Sequence, residues 1–280
     1  MIATLCIFLS AAAEIHIGPV TDILIQDGQV FSCSQAGLIR GVGDDAEILY
    51  EADFRIYELA PAPGGGIFIA GGKPGEAGIV GKWSLYDDFG PREVGDDLVY
   101  SISVHSNDVK LALANGRIRG LEDPETTAEH TASARVVRHC PDGKLVASGG
   151  MDRSVILKSD EKKIVLQDHT AAVDCLAFSP DGKMLVSGAR DGKVRIHSID
   201  GKLVRTYNCD HGEISAIVWT NDRLVAGTID GHLLELSESS DSVEVLRSIS
   251  TGIHSLAADS DDRIYIGTLG RLIRESPAVP

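Results

Sequence analysis

Along most of the chain, apolar residues fall at alternate positions in runs of a few residues. Each run is closed by a glycine, asparagine or aspartate pair before the next begins. Such a pattern predicts short strands joined by tight hairpins, an all-β chain. The pairs Asn115-Gly116, Asp191-Gly192 and Asp230-Gly231 fit two-residue turns, whose central positions call for positive φ.

The runs are themselves periodic. The clearest unit is residues 169–200, HTAAVDCLAFSPDGKMLVSGARDGKVRIHSID; HTASARVVRHCPDGKLVASGGMDRSVILKSD precedes it at 130–160 and HGEISAIVWTNDRLVAGTIDGHLLELS follows at 211–237. Weaker copies begin near 16, 54, 98 and 252. The first apolar position of each leading strand, Val20, Ile56, Val99, Ala134, Val173, Ile214 and Ile253, recurs every 35 to 43 residues. That is close to the length of a four-stranded propeller blade. The expectation is a single domain over residues 1–280, a seven-bladed β-propeller of four-stranded antiparallel blades.

The central units resemble the WD-repeat family. His130, His169 and His211 stand where that family has its Gly-His step, and the Ser179-Pro180-Asp181-Gly182 hairpin, Ser187-Gly188 and Asp191-Gly192 also match. The resemblance is strong over 130–237 and weak elsewhere. Its Trp-Asp dipeptide is absent: Trp83, followed by Ser84, alone keeps the tryptophan, and Val42, Leu121, Lys158, His197, Leu236 and Glu275 replace it. The resemblance implies structural hydrogen-bond networks of His130 with Ser148 and Asp152, His169 with Ser187 and Asp191, and His211 with Asp230. Their recurrence at fixed repeat positions marks these His-Asp sets as braces between turns and not as catalytic groups.

The last unit leaves no room for a fourth strand. Residues 1–13 are strongly apolar and lie ahead of His16 as outer strands lie ahead of His169, so they read either as the strand that closes the ring or as a signal peptide. The first reading goes with a cytoplasmic protein, the second with an exported one. The segment is too short to span a bilayer as a helix.

With 41 acidic and 26 basic residues, the net charge of −15 disfavours a nucleic-acid partner. The five cysteines are scattered, without the spacing of a disulfide framework or a zinc site. Gly71 to Gly78 is glycine-rich, but no Ser or Thr follows Lys73, so it reads as a long hairpin loop and not a phosphate loop. Hydrolase, kinase, calcium and zinc-protease motifs are absent, so neither a cofactor nor a metal is expected.

The residues that follow each leading apolar position are Thr21, Tyr57, Tyr100, Arg135, Asp174, Ser215 and His254, a set too varied for a repeated ligand site and suited to recognition. At the inter-strand turns, Gln35, Met151, Arg190 and Ile229 differ most between otherwise similar units. Interfaces favour Arg, Met and aromatic anchors. The candidate contact residues are therefore Arg190, Met151, Gln35, Ile229, Tyr57, Tyr100, Arg135 and Asp174. The function expected is a non-catalytic WD-repeat scaffold or adaptor, a monomer or part of a larger complex, that binds a protein or peptide on one propeller face without membrane contact. The alternative is a propeller enzyme or small-ligand sensor that uses the central channel.

Overall fold

The computed structural model describes residues 14–42, 48–84, 89–95, 97–123, 125–237 and 239–274. Every regular element in them is a strand. In chain order these are β1 (Glu14–Gln26), β2 (Gln29–Ser34), β3 (Leu38–Val42) and β4 (Ile48–Glu51), then β5 (Arg55–Pro61), β6 (Ile67–Lys73), β7 (Ala77–Trp83) and β8 (Phe89–Gly95). The series continues with β9 (Val99–His105), β10 (Asp108–Leu113), β11 (Arg117–Gly120) and β12 (Thr126–Glu129), and with β13 (Ala134–His139), β14 (Val146–Gly150), β15 (Val155–Lys158) and β16 (Lys163–Leu166). Next come β17 (Val173–Phe178), β18 (Met184–Ala189), β19 (Lys193–Ser198) and β20 (Leu203–Asn208), and β21 (Ile214–Trp219), β22 (Leu224–Thr228), β23 (His232–Leu236) and β24 (Val243–Ser248). The last two are β25 (Ile253–Ala258) and β26 (Ile264–Arg274).

These strands form six sheets, five of four strands and one of six. Counting each hydrogen-bonded sheet as a blade, the propeller has six, which corrects the expected seven separate four-stranded blades. The cause is strand β1. Its residues from Val20 to Gln26 pair with β2, while Glu14, Ile15 and Pro19 pair with Leu272, Arg271 and Leu269 of β26. The first and last sequence repeats are thereby fused into one sheet of order β25-β26-β1-β2-β3-β4. A repeat count in sequence cannot see one strand serving two repeats. The predicted closing segment 1–13 lies outside the described residues; the closing pairs found here begin at Glu14.

The residues that mark the repeats, Val20, Ile56, Val99, Ala134, Val173, Ile214 and Ile253, are all fully buried on innermost strands. Each inner strand packs on the next, from β1 through β5, β9, β13, β17 and β21 to β25, and β25 packs back on β1. Apolar surface is buried between neighbouring sheets, as where Val155 and Leu157 meet Val173, Leu176 and Leu185. Strand β18 is buried on both faces over most of its length, and so it reads as an apolar and small-residue run without alternation. Outer strands such as β20 face solvent and regain polar residues.

Two expectations about turns change. At Gly116, Gly192 and Gly231 only the glycine has positive φ, and each glycine N–H closes an i→i+3 turn, as Gly192 does to the Ala189 carbonyl at 3.2 Å. In the Asp-Gly pair Asp27-Gly28 both residues have positive φ, at 51° and 75°. The glycine-rich stretch at 71–78 is no long loop: β6 and β7 stay paired as far as Lys73 and Ala77. Its glycines are demanded by close packing, since a Cβ on Gly71 would fall 1.9 Å from the Arg55 carbonyl oxygen.

Closure through β1 carries a direct consequence. Deleting residues 1–19 leaves β26 with an open edge, and the truncated protein is expected to unfold at lower temperature and to aggregate on heating; an unchanged unfolding midpoint would refute the closing role of Glu14–Pro19.

Candidate functional site

The inner strands enclose a central channel, and their first residues form its mouth. A cavity of about 460 Å³ there is lined by Gln35, Tyr57, Tyr100, Arg135, Asp174, Arg190 and Ile229, together with Thr21, Glu213, Ser215 and His254. The fold thus brings together seven of the eight candidate contact residues. Met151 occupies the equivalent turn, where its N–H reaches the Ser133 carbonyl at 2.8 Å just as that of Arg190 reaches Ala172 at 2.9 Å. It is exposed but does not line the cavity.

Along the mouth, side chains from successive strands touch in series. The Tyr57 and Tyr100 rings meet edge to face at 5.1 Å, and the Arg135 guanidinium lies 4.3 Å over Tyr100. Arg135 Nε then donates to Asp174 Oδ1 at 3.0 Å, and Arg190 Nε donates to Asp174 Oδ2 at 2.6 Å. Arg190 also lies 4.0 Å from Glu213. One carboxylate therefore fixes two arginines, which restricts their rotamers.

Below the mouth the channel wall is stitched strand to strand. Thr21 Oγ1 donates to the Ile56 carbonyl at 2.9 Å, and the Leu59 N–H donates to Asp22 Oδ2 at 2.9 Å, joining β1 to β5. The Ile102 N–H donates to Glu58 Oε2 at 2.6 Å, and the Val137 N–H donates to Ser101 Oγ at 3.1 Å. Ser215 Oγ donates to the Ile253 carbonyl at 2.5 Å, and Ser255 Oγ donates to the Val20 carbonyl at 3.1 Å, which returns the series to β1. Arg138 pairs with Glu58 at 2.6 Å. Burial, reinforced by the neighbouring charge of Glu58, pushes the Asp22 carboxyl up to about 7.

Sequence reasoning missed Asp22, Glu58, Arg138 and Glu213. A signal for the first two existed. Asp22, Glu58, Ser101 and Ser255 stand two residues after their marker, where other repeats carry Val136, Cys175 and Ala216. Polar groups at a position that is apolar elsewhere indicate a wall facing something other than the core.

The predicted structural sets sit away from the channel, at the junctions between inter-sheet loops and turns. His130 Nε2 meets Ser148 Oγ at 2.9 Å and its Nδ1 meets Asp152 Oδ1 at 2.9 Å, while the Thr131 N–H donates to Asp152 Oδ2 at 2.9 Å. His169 Nε2 meets Ser187 Oγ at 2.9 Å, and its Nδ1 lies 3.2 Å from Asp191. The two sets differ through Arg195, which sequence reasoning also missed: its NH1 lies 2.5 Å from His169 Nδ1 and 3.0 Å from Asp191 Oδ2. The His130 Nδ1 faces the Asp152 carboxylate, whereas Nδ1 of His169 faces both the Asp191 carboxylate and the Arg195 guanidinium. Burial and the Arg195 charge push His169 down to about 4. Burial works against ionisation of Asp191, yet the Thr170 N–H, His169 and Arg195 together hold it below the usual carboxylate range. The third set does not assemble. Ala226 replaces the serine, no hydrogen bond joins His211 to Asp230 among the described residues, and His211 packs on His232 at 4.9 Å.

All four described cysteines are free and buried, and no cluster of His, Cys, Asp and Glu suited to a metal occurs among the described residues.

The comparisons with known proteins agree with this architecture. A family model described as the anaphase-promoting complex subunit 4 WD40 domain matches residues 137–222. The crystal structure of the WD40 β-propeller domain of Doa1 superposes with a TM-score of 0.81 at 18% identity, covering 96% of this chain and 97% of that one. A chain in the crystal structure of the mitotic checkpoint complex gives a TM-score of 0.75 at 16% identity, covering 98% of this chain and 100% of that one. No curated protein matches the chain by sequence. Residues 137–222 thus match a WD40 domain model, and the chain as a whole has a β-propeller fold.

Burial and the Arg195 charge give His169 a measurable pH signature. Its folded-state value near 4 lies below the ordinary 6.5, so the unfolded chain binds the extra proton between these limits and stability falls as pH drops from about 6.5 to 4. Asp22, raised to about 7, acts in the opposite sense, losing its contribution as pH rises toward 7. A His169→Gln variant should show a stability-versus-pH slope between pH 4 and 6.5 shallower than wild type by up to about 1.4 kcal/mol per pH unit. Denaturant titrations with equal slopes would contradict the assignment.

Proposed function

We propose that the protein is a non-catalytic WD-repeat scaffold that grips a protein or peptide segment at the mouth of the central channel. The observation that carries this reading is the convergence of Tyr57, Tyr100, Arg135, Asp174, Arg190, Gln35 and Ile229 around one cavity. Aromatic and arginine side chains are the residue types that anchor interfaces, and prior ordering lowers the entropy lost on binding. Here two tyrosines and two arginines are already fixed against one another and against Asp174. Ile229, an exposed apolar side chain on the rim, adds area that a partner would cover. The propeller neighbour in the checkpoint complex belongs to a protein assembly, which fits a partner-binding role.

A second reading, a small ligand or a reaction inside the channel, draws on one observation. Asp22 and Glu58 are carboxylates in the channel wall, and Asp22 titrates near neutrality. Both are already engaged by backbone N–H groups of the adjoining strand, at 2.9 and 2.6 Å. Arg138 occupies the other oxygen of Glu58. Such occupied groups serve the wall better than they would serve a substrate.

Affinity capture from the native cell, compared between wild type and a Tyr100→Ala, Arg190→Ala double variant, tests the proposal. Proteins retained by wild type should fall at least tenfold with the variant, the effect of losing about 1.4 kcal/mol or more at anchor positions. Met151→Ala should leave them unchanged. Equal capture by wild type and the double variant would remove the channel mouth from consideration.

A further inference from the structure

The loop between β23 and β24 reads Ser237-Glu238-Ser239-Ser240-Asp241-Ser242, hydroxyls set among carboxylates, with Glu244 just beyond. It lies on the outer side of the ring, remote in the fold from the channel, and Ser239, Ser240, Asp241 and Ser242 are all exposed. What distinguishes it from an ordinary surface loop is its clamp from the neighbouring sheet. Arg205, on the outer strand β20, donates through NH1 to the carbonyls of both Ser237 and Ser240 at 3.1 Å. Its Nε lies 3.2 Å from Asp241 Oδ1. Tyr207 Oη, from a fully buried side chain on the same strand, donates to the Ser237 carbonyl at 2.7 Å.

We propose that Ser240 is a phosphorylation site whose phosphate is held by Arg205. The guanidinium is mostly buried and already sits against the Ser240 backbone, so a phosphate on Ser240 Oγ stays within reach of a fixed cation. One of its ionic partners, Asp241, is largely exposed, and such a pair is weak. A phosphate carries about −1.5 to −2 charge and three acceptor oxygens. It therefore outcompetes the single charge of Asp241 for the guanidinium and strengthens the tie between β20 and the loop. Glu238, Asp241 and Glu244 make the segment a substrate for a kinase that selects acidic sequences. In the transfer, the bond from the γ-phosphorus of ATP to its bridging oxygen breaks, Ser240 Oγ bonds that phosphorus, the hydroxyl proton passes to the base of the kinase, and ADP leaves. Ser242, whose Oγ lies 2.8 Å from Ser240 Oγ, is the neighbouring hydroxyl that the same phosphate would reach.

The folded full-length protein, incubated with ATP and an acid-directed Ser/Thr kinase, should gain one phosphate that mass spectrometry places on Ser240, and Ser240→Ala should abolish it. Phosphorylation should raise the unfolding midpoint of wild type by about 2 °C. The rise should vanish in Arg205→Gln and persist in Asp241→Asn, because the proposed phosphate has already displaced that carboxylate. If Arg205→Gln fails to fold, the Asp241→Asn comparison alone decides the role of the displaced pair. No phosphate on the loop of the folded protein, or undiminished incorporation in Ser240→Ala, overturns the site. An equal midpoint shift in Arg205→Gln, or loss of the shift in Asp241→Asn, overturns the part assigned to Arg205.

Discussion

The ring depends on one strand doing two jobs. A propeller has no stable half-way form, because each sheet buries its faces only against the sheets on either side, and an unclosed ring leaves an apolar face and an unpaired edge in water. Strand β1 removes both costs at once. Its first part completes the sheet begun by β25 and β26, and its second part opens the sheet continued by β2 to β4. The side chains packed around that junction, Val20, Ile23, Val30, Tyr265 and Leu272, come from both ends of the chain and form one buried cluster.

The channel follows from closure. Once the inner strands are held side by side, the residues next to each buried marker must face the axis, and what they are determines what the axis offers. Near the mouth they are aromatic and charged, fixed in series from Tyr57 to Glu213. Deeper down they spend their hydrogen bonds on the backbone of the next strand. The same geometry thus yields two layers, one that ties each strand to the next and one of aromatic and charged side chains around the mouth. The His130 and His169 sets hold loops against turns outside the channel.

Much of this was legible in the sequence, and the failures have physical causes. The strands, the repeat length and the buried marker residues follow from hydrophobic alternation and turn residues, which are local properties. Seven of the candidate contact residues lie around one cavity because repeats place equivalent positions on the same face. Met151 shows the limit: its turn position repeats but its side chain does not line the cavity. The number of sheets was missed because pairing between Glu14 and Leu272 joins residues at opposite ends of the chain. Arg195 and Arg205 were missed for a similar reason, since each acts on a loop distant in sequence or on a neighbouring blade. His211 was placed by homology of position, and the Ala226 that breaks its network stands in plain view in the sequence.

Hydrogen exchange followed by mass spectrometry on the intact protein tests closure most directly. Backbone amides within residues 14–19 and 269–274 should exchange far more slowly than those of the exposed loop at 239–242, because the two segments pair with each other. Exchange within them as fast as in the exposed loop at 239–242 would show that the ends do not meet and that the wheel, with the channel mouth it creates, is not the structure in solution.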